Sequence, residues 1–225
     1  MMVATQSVEE LKQAIVEATR LLFGCGAMQH SGHGNLSARI DAERIVLTSR
    51  GSIRDLTEVG LAVVSLEGEL LEGQIEPTAA EIVRMHTAVY RTRDSVGAVI
   101  HTHSPLVTAF ALAHEPLPCA YEALLRFGVS EPIPVAAWGP RGSEASVKNI
   151  VQCLTTHPTS PAVLLANHGL LAFGRTPLET AQLIVAMEEA AGMTLGARQL
   201  GAEKPFPPGA LEQERARMAQ FGSAR

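Results

Sequence analysis

Two histidines separated by one residue close an apolar run in GAVIHTHSPL, Gly97 to Leu106. Val96, Val99 and Ile100 have the composition of a buried strand, and Ser104-Pro105 marks its end. Side chains at i and i+2 of a strand share a face, about 7 Å apart. His101 and His103 would therefore present two imidazoles side by side where the strand gives out. Two neutral imidazoles so placed can bind one divalent metal, provided a third ligand stands elsewhere in the chain. His168, in PAVLLANHGLLAFG, falls in a turn between two apolar runs, at the rim of a sheet. It can complete a three-histidine site that leaves a position open for substrate or water. The commoner account of a lone rim histidine is one hydrogen bond or simple exposure, so His168 stands as a candidate. His30, His33, His86, His114 and His157 take the ordinary reading, with His33 singled out because it lies inside a glycine-rich turn.

The elements that would position these residues are legible in the hydrophobic pattern. SVEELKQAIVEATRLLFGCGAMQH reads as an opening helix ended by Gly24 and Gly26, with Ser7 and Glu10 at capping-box spacing and Leu11, Ile15, Ala18 and Leu22 on the inner stripe. NLSARI, RIVLTS and LAVVSL read as three short strands, antiparallel neighbours separated by turns. A helix follows Pro77, with Thr78 placed to cap it, then the strand SVGAVIHTH and the helix SPLVTAFALAH. PIPVAAW, PAVLLAN and GLLAFG read as strands, SEASVKNIVQCLTTH as a helix, and PLETAQLIVAMEEAAGMTLGARQL as a long closing helix with Pro177 in its first turn. Strands and helices mix without strict βαβ alternation, which predicts an α/β fold with a mostly antiparallel sheet layered with helices.

Composition bounds the rest. The 225 residues suit one domain, with a core over about 7–200 and a Pro-rich, weakly helical tail over 201–225. A formal charge of −5 gives no electrostatic case for nucleic acid or an anionic membrane. Cys25, Cys119 and Cys153 form no CxxC pair, and their odd number argues against a disulfide framework. No apolar run is long enough to span a bilayer, and the first residues lack a signal-peptide pattern, so a soluble, cytoplasmic protein is expected.

HGNLSARI, LTSRG, HTAVYRTRDSVGAVIHTHSP and LLANHGLLAFG, in that order, resemble the class II aldolase/adducin family, which includes L-fuculose-1-phosphate aldolase and L-ribulose-5-phosphate 4-epimerase. The resemblance runs from about Leu11 to Leu195, and the HTH and NHG combination is its most specific part. It implies a zinc site ligated by His101, His103 and His168, a three-layer α/β/α fold, and a homotetramer with active sites between subunits. It also implies a glutamate on the helix before the HxH strand that ligates the metal in the empty site and serves as acid/base. A phosphate pocket would use the GN turn (Gly34, Asn35) and the turn from Thr48 to Gly51, loops whose N–H groups and hydroxyls can hold an anion. The chemistry that follows is polarisation of a ketose carbonyl by the metal, so that a C–C bond breaks to a stabilised enediolate.

This chain departs from the family pattern in two places. The pattern has hydroxyl residues before the acid, which falls four residues before the helix histidine. Here Glu81 is five before His86, and Ile82 takes the four-before position. One helical step is about 100° of rotation, although the first turn of a helix can absorb it. Glu81 remains the candidate acid/base and metal ligand, because Glu72 and Glu76 lie farther back in a turn. Ala79 and Ala80 stand where the hydroxyls would be, so Thr78 and Arg50 become the candidate replacements for holding an anionic group. Tyr121 falls loosely where family aldolases carry a tyrosine acting across the subunit interface. Tyr90 and Tyr121 are the only tyrosines, so the tail cannot supply one, which weighs against the epimerase.

Three functions are thus open. The first is a zinc aldolase cleaving a small phosphorylated ketose to dihydroxyacetone phosphate and an aldehyde. The second is a decarboxylase of a hydroxy or keto acid, with manganese as the alternative metal and Arg50 holding a carboxylate. The third is a non-catalytic adducin-like binding domain, against which the retained histidines argue.

Overall fold

A computed structural model describes residues 6–222, the side chains of Thr78 and Phe221 excepted. Its centre is an eight-stranded sheet in the order β4-β3-β2-β1-β5-β8-β7-β6. The strands are β1 (Gly34–Arg39), β2 (Arg44–Thr48), β3 (Leu61–Ser65), β4 (Leu70–Glu72), β5 (Ala98–Thr102), β6 (Val135–Ala136), β7 (Ala162–Leu165) and β8 (Gly169–Gly174). Every pairing is antiparallel except β6 with β7. The mixed α/β fold with a mostly antiparallel sheet is the one expected from the sequence.

Helices cover both faces because alternate residues of the strands are apolar on both. The helices are α1 (Val8–Gly24), α2 (Ala80–Thr92), α3 (Pro105–Ala113), α4 (Glu122–Arg126), α5 (Glu144–Thr156), α6 (Pro177–Gln199) and α7 (Ala210–Gly222). Leu36, Ile100, Leu164 and Leu170 face one core with Ile15 and Leu22 of α1, Phe110 of α3 and Ile184 and Met187 of α6. Ile45, Val99, Val163 and Leu171 face the other, with Val83, Val89 and Tyr90 of α2 and Ile150 and Leu154 of α5. The layers are therefore helix, sheet, helix.

The capping signals fold as read at α1, where Ser7 and Glu10 form the reciprocal box. They do not at α2. A 3-10 turn over Pro77–Ala79 precedes it, and its cap position is Ala79, whose methyl makes no hydrogen bond, rather than Thr78. Three elements depart from the sequence reading. β4 is an exposed edge strand with no buried alternation to reveal it. α4 has five residues, too few to show a period. β6 keeps two residues of PIPVAAW, because Pro132 and Pro134 lack the N–H that a ladder needs. The tail forms α7 against α4, with Arg126 and Glu214 3.7 Å apart. No helix among the described residues is long and apolar enough to cross a membrane.

Candidate metal and substrate site

β5 lies near the middle of the sheet, and its register sets His101 between Asn35 of β1 and Leu171 of β8. His101 is buried, and its Nδ1 donates to the Leu170 carbonyl at 2.8 Å, which leaves the Nε2 lone pair facing outward from the strand. His103 follows two residues later, past the strand end, with its Nε2 3.1 Å from Nε2 of His101. His168 arrives from the β7–β8 hairpin. Asn167 turns the chain there with φ 58°, a left-handed conformation asparagine tolerates, and His168 N–H donates to the Leu165 carbonyl at 2.9 Å. Gly169 is required beside it, since a Cβ would sit 2.5 Å from the Thr102 carbonyl oxygen. The three rings stand 4.7 to 5.0 Å apart by centroid, and their ligand nitrogens all lie within 4.8 Å of one another.

The protonation states suit a metal. Burial lowers the pKa of His101 well below 6.5, with His168 and His103 as like-charged neighbours adding to it. Burial, then His168, His33 and Arg141, brings His103 down to about 4, and burial with Arg141 lowers His168. All three rings are therefore neutral at pH 7, as metal ligation requires. Two Nε2 atoms 3.1 Å apart approach the edge of a tetrahedral site, ~3.3 Å for metal–nitrogen bonds of ~2.0–2.1 Å. A second observation bears on the fit. Gln29 donates from Nε2 to the His33 carbonyl at 2.7 Å and to His103 Nδ1 at 3.2 Å, while its own Oε1 is buried without a partner. A ligating imidazole needs an acceptor behind its other nitrogen, and turning the Gln29 amide over would bring its unused oxygen to His103 Nδ1.

The helix that follows is anchored from across the core. Glu188 of α6 accepts the N–H groups of Leu106 at 2.8 Å and Val107 at 2.9 Å, holding the start of α3 just beyond His103. Ser104 donates to the Ala27 carbonyl at 2.7 Å, tying the same segment to the loop after α1.

A cavity of about 330 Å³ opens over the three histidines. Of the residues anticipated from sequence, Gly34, Asn35, Gly51 and Glu81 line it. Glu81 enters because the 3-10 turn delays α2 until Ala80, so that Glu81, Ile82 and Met85 share the cavity wall. Its carboxylate is ion-paired with Arg141 and lies outside the histidine cluster. Thr48 is buried in β2, where its hydroxyl accepts from Leu36 N–H at 3.3 Å, and it does not reach the cavity. Arg50 points elsewhere, with Nη2 3.5 Å from the Asp55 carbonyl. Tyr121 packs half-buried against the core at the start of α4, also outside the lining. Thr78's side chain lies outside the described residues.

Several lining or supporting residues carried no sequence signal. Arg141 and Gly142 sit in PRGS, an ordinary-looking turn between β6 and α5. Ser52 and Glu76 also line the cavity, as does His33, singled out in its glycine-rich turn. Asn35 ends a buried polar chain: its partner His86 sits 2.6 Å from Ser37 Oγ, which is 2.8 Å from the Tyr90 hydroxyl. Burial brings His86 down to about 3 and pushes the Tyr90 hydroxyl up, so both are neutral. His86 sits four residues after Ile82 on the same helix, and only the packing of α2 on β1 brings it to Asn35.

Residues 13–195 match the family described as Class II Aldolase and Adducin N-terminal domain. The chain is 29% identical over 187 residues to methylthioribulose-1-phosphate dehydratase of Hahella chejuensis, covering 78% of this chain and 88% of that protein. It is 30% identical over 178 residues to L-fuculose phosphate aldolase of Methanococcus maripaludis, covering 78% and 91%. It is 32% identical over 189 residues to 3-oxo-tetronate 4-phosphate decarboxylase of Haemophilus influenzae, covering 80% and 84%. In fold it superposes on a solved L-fuculose 1-phosphate aldolase with a TM-score of 0.82 at 24% identity, covering 96% of this chain and 100% of that one.

Proposed function

The chain belongs to the class II aldolase and adducin family, and on that premise we propose that it is a metal-dependent lyase, an aldolase that cleaves a small phosphorylated ketose to dihydroxyacetone phosphate and an aldehyde. The observation that carries this reading is the convergence of three neutral imidazoles within 4.8 Å beneath a cavity of substrate size. A non-catalytic binding domain has no use for such a cluster.

His101, His103 and His168 would hold the metal, zinc in the first instance and manganese as the alternative, with Glu81 as the nearest added carboxylate. When bound, such an ion supplies a Lewis acid that polarises a carbonyl oxygen and stabilises the negative charge left by bond cleavage. The chain's own groups do the rest. The Gly51 turn and the Asn35 amide orient an oxygen-rich ligand against the histidines, while Gly34 shapes the wall with its own N–H bonded to the Gly51 carbonyl. Glu81, through a carboxylate oxygen on the cavity wall, takes the hydroxyl proton and returns it to carbon. Apolar Ile82, Met85, Val147 and Leu165 line the remainder and restrict water. A homotetramer belongs to the same reading, and Tyr121, which does not line its own chain's cavity, would act only across a subunit boundary.

A second reading keeps the site and changes the bond. Arg141 places a cation on the cavity wall that suits a carboxylate, and one 32%-identical relative is named as a decarboxylase. Deuterium exchange separates the two. The metal-loaded protein incubated with dihydroxyacetone phosphate in D₂O, against a metal-stripped control, should show metal-dependent loss of its C–H signals by NMR. Absence of exchange in protein shown to hold metal would transfer the proposal to the decarboxylase.

A further inference from the structure

Among the described residues that line the cavity, Arg141 is the one lysine or arginine. It reaches Glu81 from the loop before α5, and Gly142 beside it adopts φ 72° with its Cα pressed on the carboxylate, where a Cβ would fall 2.6 Å from Oε2. The pair is not sealed away: the arginine side chain is 62% exposed and that of Glu81 25%. A guanidinium carries five N–H donors, so one carboxylate leaves part of it unused. Its charge also reaches His103 and His168, lowering both. A cation beside a cluster built for another cation is unfavourable unless a negatively charged ligand lies between them.

Resting on the functional reading above, we propose that Arg141 recognises the oxyanion of the substrate and that Glu81 is its placeholder. The arriving anion takes the guanidinium, and Glu81 is released beside His168. An exposed ion pair costs little to open because solvent screens it. A phosphate or carboxylate meanwhile offers the same planar fork two parallel acceptors. The arrangement thereby makes the free carboxylate conditional on an anionic substrate. The ligand class is a small molecule with metal-ligating oxygens at one end and an oxyanion at the other.

Calorimetric titration of the full chain with inorganic phosphate and, separately, with glycolate tests this, both metal-loaded and after chelation. Binding of one anion should weaken about tenfold or more in Arg141→Gln and tighten severalfold in Glu81→Gln, with the double variant behaving as Arg141→Gln. The anion that responds identifies the group, phosphate or carboxylate. Wild-type protein that binds neither anion, an Arg141→Gln variant that binds as wild type, or a Glu81→Gln variant that binds more weakly would overturn the proposal. Because the chelated protein answers the question without turnover, anion binding that persists alongside failed deuterium exchange would overturn only the aldolase reading.

Discussion

His86 Nε2 lies 2.6 Å from Asn35 Oδ1, and this contact decides which end of the asparagine amide reaches the cavity. An amide oxygen only accepts, so the neutral imidazole donates from Nε2. Its Nδ1 then accepts from Ser37, whose oxygen accepts from Tyr90. Asn35 is left with its NH₂ for the cavity, a donor set suited to an oxyanion or a ketose oxygen.

That polarity is testable. Asn35→Asp is nearly isosteric but replaces two donors with a charge repelling an anionic substrate. KM should rise by about tenfold or more, while the ¹⁵N signals of His86 should keep the Nε2–H pattern, because a carboxylate oxygen still accepts there. An unaltered KM would mean that the amide does not meet substrate.

His103→Ala removes one of the three proposed ligands from the rim without opening the core. Zinc affinity should fall about a hundredfold or more, beyond the loss expected when only a supporting residue is removed. The far-UV circular dichroism of the metal-free protein should stay the same. A zinc-replete, active variant would remove His103 from the site.

Folding stability should fall in mild acid. His86 titrates at about 3 in the fold against an ordinary 6.5. Between those values the unfolded chain binds a proton that the folded chain refuses. Stability is therefore complete above about pH 6.5 and is lost as pH falls toward 3, at up to about 1.4 kcal/mol per unit. His101, His103 and His168, shifted the same way by burial, add to the loss. Urea midpoints of chelated protein from pH 7.5 to 4.5 should show this slope, and His86→Gln should show it reduced. Equal slopes would mean that His86 titrates normally in the fold.

Glu188→Gln exchanges one of two acceptors for an NH₂ that opposes a backbone N–H. The expected cost is about 1–3 kcal/mol, read as a melting temperature several degrees lower. Zinc affinity should fall with it if the start of α3 positions His103. A variant with unchanged melting and metal binding would show that the Ser104 contact alone holds the segment.

Much of this was legible in the residues themselves, because it depended on local periodicity. The i, i+2 spacing of His101 and His103 puts both rings on one side of a chain that is leaving the sheet, His101 in the last residues of β5 and His103 just beyond it. The apolar runs on either side of Asn167-His168-Gly169 require a hairpin, and a hairpin places its turn at the rim. The capping box at Ser7 and the antiparallel run of β1, β2 and β3 are equally local. What the sequence could not decide were meetings between segments far apart in the chain. Arg50 and Arg141 look alike as turn arginines, yet only the second leans over the cavity, because α5 packs beside α2 and brings its leading loop to Glu81. That Glu81 lines the cavity despite its one-residue offset follows a 3-10 turn before α2 that no propensity reveals. His86, 51 residues from Asn35, becomes its partner only when α2 lies across β1. Spacing along the chain sets which way neighbours point, whereas packing sets which distant side chains meet, and the charge balance of this site depends on those meetings.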